Sequence, residues 1–134
     1  MIHEEICTYE VCKLAEEKGF NEKCYHYYQK GVLESDGCFN RYNKGIDSIC
    51  SAPTQSLLQR WLREEKGIIV EVIAQPTCST SKKNCYWWII KQNSNGLGYQ
   101  YEECSYSLYD NGGYFNTYEL ALEDALKDTL KNSI

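Results

Sequence analysis

The sequence predicts an α+β fold, and three observations carry the prediction. Three stretches place apolar residues at helical spacing and have capping residues at their ends. Between the second and the third of these stretches, runs of β-branched and aromatic residues are separated by turn-forming residues. Residues 52–134 therefore predict a helix, a three-stranded antiparallel meander and a C-terminal helix, an order that buries one sheet face under two helices.

Residues 1–51 predict an N-terminal helix followed by short strands. In "TYEVCKLAEEK" at 8–18, Thr8 can cap the helix, and the apolar side chains fall on one face. Residues 23–51 contain the ring-rich "CYHYY" and a turn near Lys30–Gly31, and then many turn formers. We expect irregular structure with short strands in this region.

In the second part of the chain each element has its own signal. "SAPTQSLLQRWLREEKG" predicts a helix with Pro53 in its first turn. The strands are "IIVEVIAQP", "CYWWIIKQN" and "GYQYEECSYSLY", joined by "TCSTSKK" and by the glycine-bearing "SNGLG". The last helix, "NTYELALEDALKDTLKNSI", can be capped by Thr117 or Asn116. We expect one domain, 1–134, with sub-regions 1–51 and 52–134.

The string "LAEEKGF" at 14–20 returns as "LREEKGI" at 62–68. The likeness ends upstream of both copies, so it does not indicate a duplicated functional module. It predicts instead that Gly19 and Gly67 each lie just past a helix, in a left-handed conformation that costs glycine little.

The charge balance argues against duplex nucleic acid as a partner. The net charge is −5, with six basic against nine acidic side chains through residue 51 and eight against ten after it. Neither half is basic, whereas proteins that bind phosphate backbones usually present a basic face. The sequence shows no export signal and no apolar run long enough for a membrane span, so we expect a cytoplasmic location.

Eight cysteines are present, and we expect them to be free buried thiols. Without an export signal a disulfide framework is not expected, and there is no Cys-x-x-Cys pair to suggest zinc. We therefore predict no metal and no cofactor. Cys24 and His26 would share a strand face, which permits contact between them, and an enzyme built on the cysteines and His26 is an open alternative.

The twelve tyrosines and the adjacent tryptophans are the first candidates for function. Rings on strands can contact a protein partner or stack on unpaired bases. Because alternate strand residues face opposite sides, Trp87 and Trp88 compete for the open face of the sheet. The candidate binding residues are Trp87, Trp88, Tyr99 and Tyr101. The alternative is that the N-terminal region covers this face.

The predicted order of helix, three strands and helix resembles that of double-stranded RNA-binding domains. The resemblance implies the layered shape alone, because "NTYELALEDAL" has no Lys or Arg where that family carries a basic cluster at the start of its last helix.

Three blocks, "TYEVCKLAEEKGF", "SAPTQSLLQRWLREEKGIIVEVI" and "YFNTYELALEDALKDTL", resemble in that order a group of short uncharacterised proteins of bacteriophages and of prophages in Bacteroides-type bacteria. This resemblance implies an intracellular accessory protein of phage origin and brings no known activity or site residues.

We therefore expect a non-enzymatic module that binds a macromolecule, with another protein as the partner. The alternative is a binder of single-stranded nucleic acid that uses the same aromatic strand residues.

Overall fold

The structure, a computed structural model, describes residues 2–35, 49–75, 85–94, 99–105 and 113–134. This part of the chain contains three helices and two antiparallel three-stranded sheets, which confirms the α+β prediction. In chain order the elements are α1 (Tyr9–Glu17), β1 (His26–Gln29), β2 (Val32–Ser35), β3 (Ile49–Ala52), α2 (Gln55–Glu65), β4 (Ile68–Gln75), β5 (Cys85–Ser94), β6 (Tyr99–Cys104) and α3 (Tyr118–Asn132). The predicted connections "TCSTSKK" and most of "SNGLG" lie outside the described residues.

Each helix begins after a threonine whose hydroxyl oxygen accepts a hydrogen bond from a backbone N–H of the first turn. Thr8 accepts from Val11, Thr54 from Leu57 and Thr117 from Leu120. Thr8 and Thr117 were predicted as caps. Pro53 was expected inside the first turn of α2, but it lies one residue before the N-cap. Thr54, whose backbone is extended, is the N-cap residue, and α2 begins at Gln55.

Gly19 and Gly67 follow α1 and α2 with φ of 98° and 68°, which confirms the predicted left-handed helix ends. At α1 the Gly19 N–H donates to the Glu16 carbonyl at 3.1 Å, and the Phe20 N–H donates to the Ala15 carbonyl at 2.9 Å. These two bonds are those of the Schellman motif. They turn Phe20 back into the core, where its ring meets that of Trp61 edge to face at 5.4 Å.

The first sheet has the strand order β2-β1-β3. Strands β1 and β2 form a hairpin whose two turn residues, Lys30 and Gly31, have φ of 53° and 80°. Positive φ at both positions is the type I′ geometry that matches the twist of paired strands. The turn was predicted at this position, whereas the pairing of β3 with β1, which sets His26 opposite Ala52, was not.

The second sheet has the order β4-β5-β6 and is covered on one face by α2 and α3. The register sets Val70 opposite Ile90 and Val72 opposite Trp88, so alternate residues of both strands face the helices. Ile68, Val70, Trp88 and Ile90 are buried there, and they share a core with helix residues that include Leu58, Leu62, Leu126 and Leu130.

The N-terminal sub-region joins the same core from the helix side of this sheet. Helix α1 contacts α3 and β3, and its buried Val11, Cys12 and Ala15 belong to the core cluster. The chain before α1 is tied to the start of α2, since the Cys7 N–H donates to the Pro53 carbonyl and the Gln55 N–H donates to the Glu5 carbonyl. One buried cluster therefore draws on both predicted sub-regions.

We predict that Gly19→Ala and Gly67→Ala each lower the free energy of unfolding by about 1 kcal/mol. A Cβ at either position would meet no atom within 4 Å, so the cost comes from the backbone conformation alone. Chemical denaturation measures the change. Gly19→Asn and Gly67→Asn are the controls and should lose less, since Asn tolerates a left-handed φ. A more stable alanine variant would contradict the prediction.

Candidate functional site

Trp88 is a core residue. Its side chain is 0% exposed, and its indole Nε1–H donates to Oδ2 of Asp124 on α3 at 2.9 Å. Its backbone N–H donates to the Ser105 hydroxyl at 3.1 Å, and that hydroxyl donates to the Gly113 carbonyl at 2.8 Å. The prediction of Trp88 as an exposed binding residue is therefore wrong, because the pleat turns its ring toward the helices.

Trp87 lies on the opposite face of β5 and is half-buried. The register pairs Trp87 with Ile73 and pairs Ile89 with Glu71 on one side and with Cys104 on the other. Cross-strand partners share a face, so these residues define the side of the sheet away from α2 and α3. We call this the outer face; its described residues are Ile69, Glu71, Ile73, Gln75, Cys85, Trp87, Ile89, Lys91, Glu102 and Cys104.

Tyr99 and Tyr101 lie on β6, opposite Ser94 and Gln92 respectively. Their side chains lie outside the described part of the molecule. Because Trp87 and Trp88 lie on opposite faces of β5, the four predicted residues do not form one set on one face.

The outer face has an apolar centre with charged neighbours. Ile69 is 41% exposed, and Ile73, Trp87 and Ile89 are half-buried. Lys91 Nζ lies 3.3 Å from Glu71 Oε2, and this ion pair crosses from β5 to β4. The β-branched residues that favour strand formation here are also those that make this face apolar.

Cys24, the thiol of the enzyme alternative, has the character of a buried core cysteine and not that of an activated nucleophile. Cys24 is buried, and its thiol donates to the Glu22 carbonyl with Sγ and O 3.5 Å apart. Burial raises the pKa of Cys24 to about 12, so its thiolate is scarce at neutral pH. The His26 ring contacts the Tyr25 ring, with centroids 5.5 Å apart.

The other cysteines are mainly free thiols in the core. Cys7, Cys12, Cys24 and Cys50 are buried and free, and Cys104 is free and half-buried. Cys85 is disulfide-bonded, so the prediction of free thiols holds for these five and not for Cys85. Within the described ranges, no three His, Cys, Asp or Glu side chains are arranged to hold a metal ion.

A cleft of about 540 Å³ lies where the chain before β1, the turn from β3 to α2 and one side of α2 meet. Its walls include Lys23, Tyr25, His26, Leu57, Arg60 and Arg63. This cleft was not predicted from the sequence. Arg60 and Arg63 are one helical turn apart and could have been recognised as a pair, but nothing in the spacing predicts that residues 23–26 reach α2.

Comparison with protein-family models, curated proteins and solved structures finds no match for this chain. None of the helices in the described ranges combines the length and the hydropathy that a membrane-spanning segment requires.

The Trp88–Asp124 hydrogen bond yields a stability prediction. Asp124→Ala should lower the free energy of unfolding by about 1–3 kcal/mol, because it leaves the buried indole N–H without this acceptor. Denaturant titration measures the loss. Asp124→Asn keeps a side-chain oxygen and should retain most of the stability, and an equal loss in the two variants would contradict the role of the hydrogen bond.

The thiols yield a labelling prediction. In the native protein at about pH 8, iodoacetamide should modify Cys104 faster than Cys7, Cys24 or Cys50, since these three are buried and the pKa of each is raised. The pKa of Cys7 is raised chiefly by its hydrogen bond with Cys12, and those of Cys24 and Cys50 by burial. Peptide mass spectrometry after quenching measures the rates. Denaturant should bring the four rates close together, and labelling of native Cys24 as fast as Cys104 would refute the assignment.

Proposed function

We propose that the protein is a non-enzymatic module that binds another protein through the outer face. The observation that carries the proposal is that face itself: Ile69, Ile73, Trp87 and Ile89 form an apolar centre on the side of the sheet away from α2 and α3. Fully buried interface centres are apolar and rich in aromatic side chains.

The charges at this face indicate the chemistry of the partner. Glu102 is exposed and Glu71 is largely exposed, while the positive charge of Lys91 is already paired with Glu71. The chain as a whole carries a net charge of −5. A partner with an apolar centre and a basic rim would complement both the apolar residues and the acidic ones. A second copy of this chain would bring two acidic surfaces together and is the less favourable occupant.

Single-stranded nucleic acid is the alternative partner, and the described outer face gives it less support. Base stacking would be available at Trp87, but phosphate neutralisation would depend on Lys91, which is held by Glu71. Trp88, one of the rings proposed to stack on bases, is buried in the core and cannot contact single-stranded nucleic acid.

The chemistry of the cysteines favours binding over catalysis, since the one sequence-derived nucleophile, Cys24, is a buried thiol with a raised pKa. We place the protein in the cytoplasm as a phage or prophage accessory protein. The sequence resemblance and the five free thiols support this location, and the disulfide at Cys85 is the observation against it.

The test uses charge reversal of the apolar centre. Ile69→Arg adds a charge to a half-exposed position of the outer face, so the fold should persist and the partner should be lost. The tagged protein is expressed in the cells in which its gene occurs and recovered with its bound proteins, which are compared by mass spectrometry. The matched control is Leu120→Arg on α3, whose wild-type side chain is 55% exposed on another surface.

The expected result is a basic protein that wild type and Leu120→Arg both recover and that Ile69→Arg does not. Recovery of the same proteins by all three would contradict the proposal.

Fluorescent single-stranded DNA, titrated at low and at moderate salt, tests the alternative: binding that Ile69→Arg weakens would replace the protein partner with nucleic acid. Sedimentation velocity tests self-association, and a dimer that Ile69→Arg dissociates would assign the face to a second copy.

A further inference from the structure

The cleft between residues 23–26 and α2 has a net positive lining. Lys23, Arg60 and Arg63 line it together with one carboxylate, that of Glu4. By contrast, a neighbouring cleft near the start of α3 is lined by Glu5, Glu119 and Glu123 without a basic residue. In a chain of net charge −5, this local excess of positive charge creates a field that attracts anions to one place.

The arginines project from the same side of α2. Arg60 and Arg63 are three residues apart, which places neighbouring side chains on one helical face. The Nε–H of Arg60 donates to Glu64 at 2.9 Å, and both side chains of this pair are more than half exposed. This bond uses one of the five N–H donors of Arg60. Within the described part of the chain, Arg63 has no ion-pair or hydrogen-bond partner.

The remaining walls of the cleft suit a flat ring. Tyr25 is 37% exposed, and its ring is tilted by 52° against that of His26. Leu57 is half-buried and, with Pro53 and Ala52, gives the cleft an apolar part. Aromatic side chains can stack on any nucleobase, because every base presents a flat π-face.

The size of the cleft favours a small molecule over a chain. A volume of about 540 Å³ falls within the range of roughly 300–1,000 Å³ that is usual for small-molecule sites. Guanidinium groups recognise phosphate oxygens through paired hydrogen bonds, and the tyrosine and histidine rings lie in the same cleft. The arginines on one wall can therefore bind an anionic group, while the aromatic side chains on another wall contact a flat ring of the same ligand.

We propose that this cleft binds a nucleoside monophosphate, with Arg60 and Arg63 on the phosphate and Tyr25 and His26 against the base. No bond in the ligand is made or broken. The site is separate from the outer face, so its occupancy and the binding of a protein partner can be measured independently.

The experiment is isothermal titration calorimetry at low salt with four kinds of probe. These are the four ribonucleoside 5′-monophosphates, adenosine, inorganic phosphate and, as the salt control, sodium chloride. We expect at least one monophosphate to bind with a Kd below about 1 mM, and adenosine and phosphate alone to bind more weakly.

The variants separate the two halves of the site. The double variant Arg60→Ala, Arg63→Ala should weaken monophosphate binding by about tenfold or more. Tyr25→Leu should weaken the monophosphate and leave inorganic phosphate unchanged. The matched control, Lys127→Ala with Lys131→Ala, removes two positive charges from α3 and should bind as the wild type does. Because the side chains of Arg60, Lys127 and Lys131 are all more than a third exposed, these variants should stay folded, which circular dichroism checks.

Three results would overturn the proposal: no monophosphate bound below about 1 mM, adenosine bound as tightly as its monophosphate, or an equal loss in the arginine and lysine double variants. The protein-partner proposal stands or falls separately, since Ile69→Arg leaves the cleft intact.

Discussion

The structure depends on the burial of one face of β5 beneath α3 and α2. Trp88 and Ile90 are both 0% exposed, and Trp88 is fixed by the hydrogen bond from its indole to Asp124. Truncating a buried aromatic side chain to alanine costs about 3–5 kcal/mol, a large share of the stability of a small domain. Since the strand pleat has a period of two, fixing Trp88 inward also fixes Trp87 and Ile89 outward. The apolar outer face is thus a direct consequence of how the core is built.

The helix layer that covers this sheet also joins the two ends of the chain. Glu123 of α3 accepts hydrogen bonds from the Thr8 N–H at 2.7 Å and from the Gln55 side chain at 2.9 Å. One carboxylate of α3 therefore connects the N-cap of α1 with the first turn of α2. This arrangement brings α1 to the helix side of the second sheet, where it contacts α3.

Local features of the fold were accessible from the sequence, because capping and turn chemistry act over a few residues. Thr8, Thr117, Gly19 and Gly67 occupy the predicted positions. The choice between Trp87 and Trp88 was not accessible, since both faces of β5 are apolar and only the docking of α3 decides which is buried. The pairing of β3 with β1 and the meeting of residues 23–26 with α2 were likewise unpredictable, because both join residues distant in sequence. Of the two candidate tryptophans, Trp88 is therefore in the core and Trp87 on the outer face, and the cleft was not predicted.

The division of β5 into a core face and an outer face can be measured directly by acrylamide quenching of single-tryptophan proteins. One protein keeps only Trp87 (Trp61→Phe, Trp88→Phe), and the other keeps only Trp88 (Trp61→Phe, Trp87→Phe). The structure predicts that emission from Trp88 lies at shorter wavelength and is shielded from acrylamide, whereas Trp87 is the more readily quenched of the two. Equal quenching of the two tryptophans, or stronger quenching of Trp88, would contradict the assignment of the faces and with it the outer face as a binding surface.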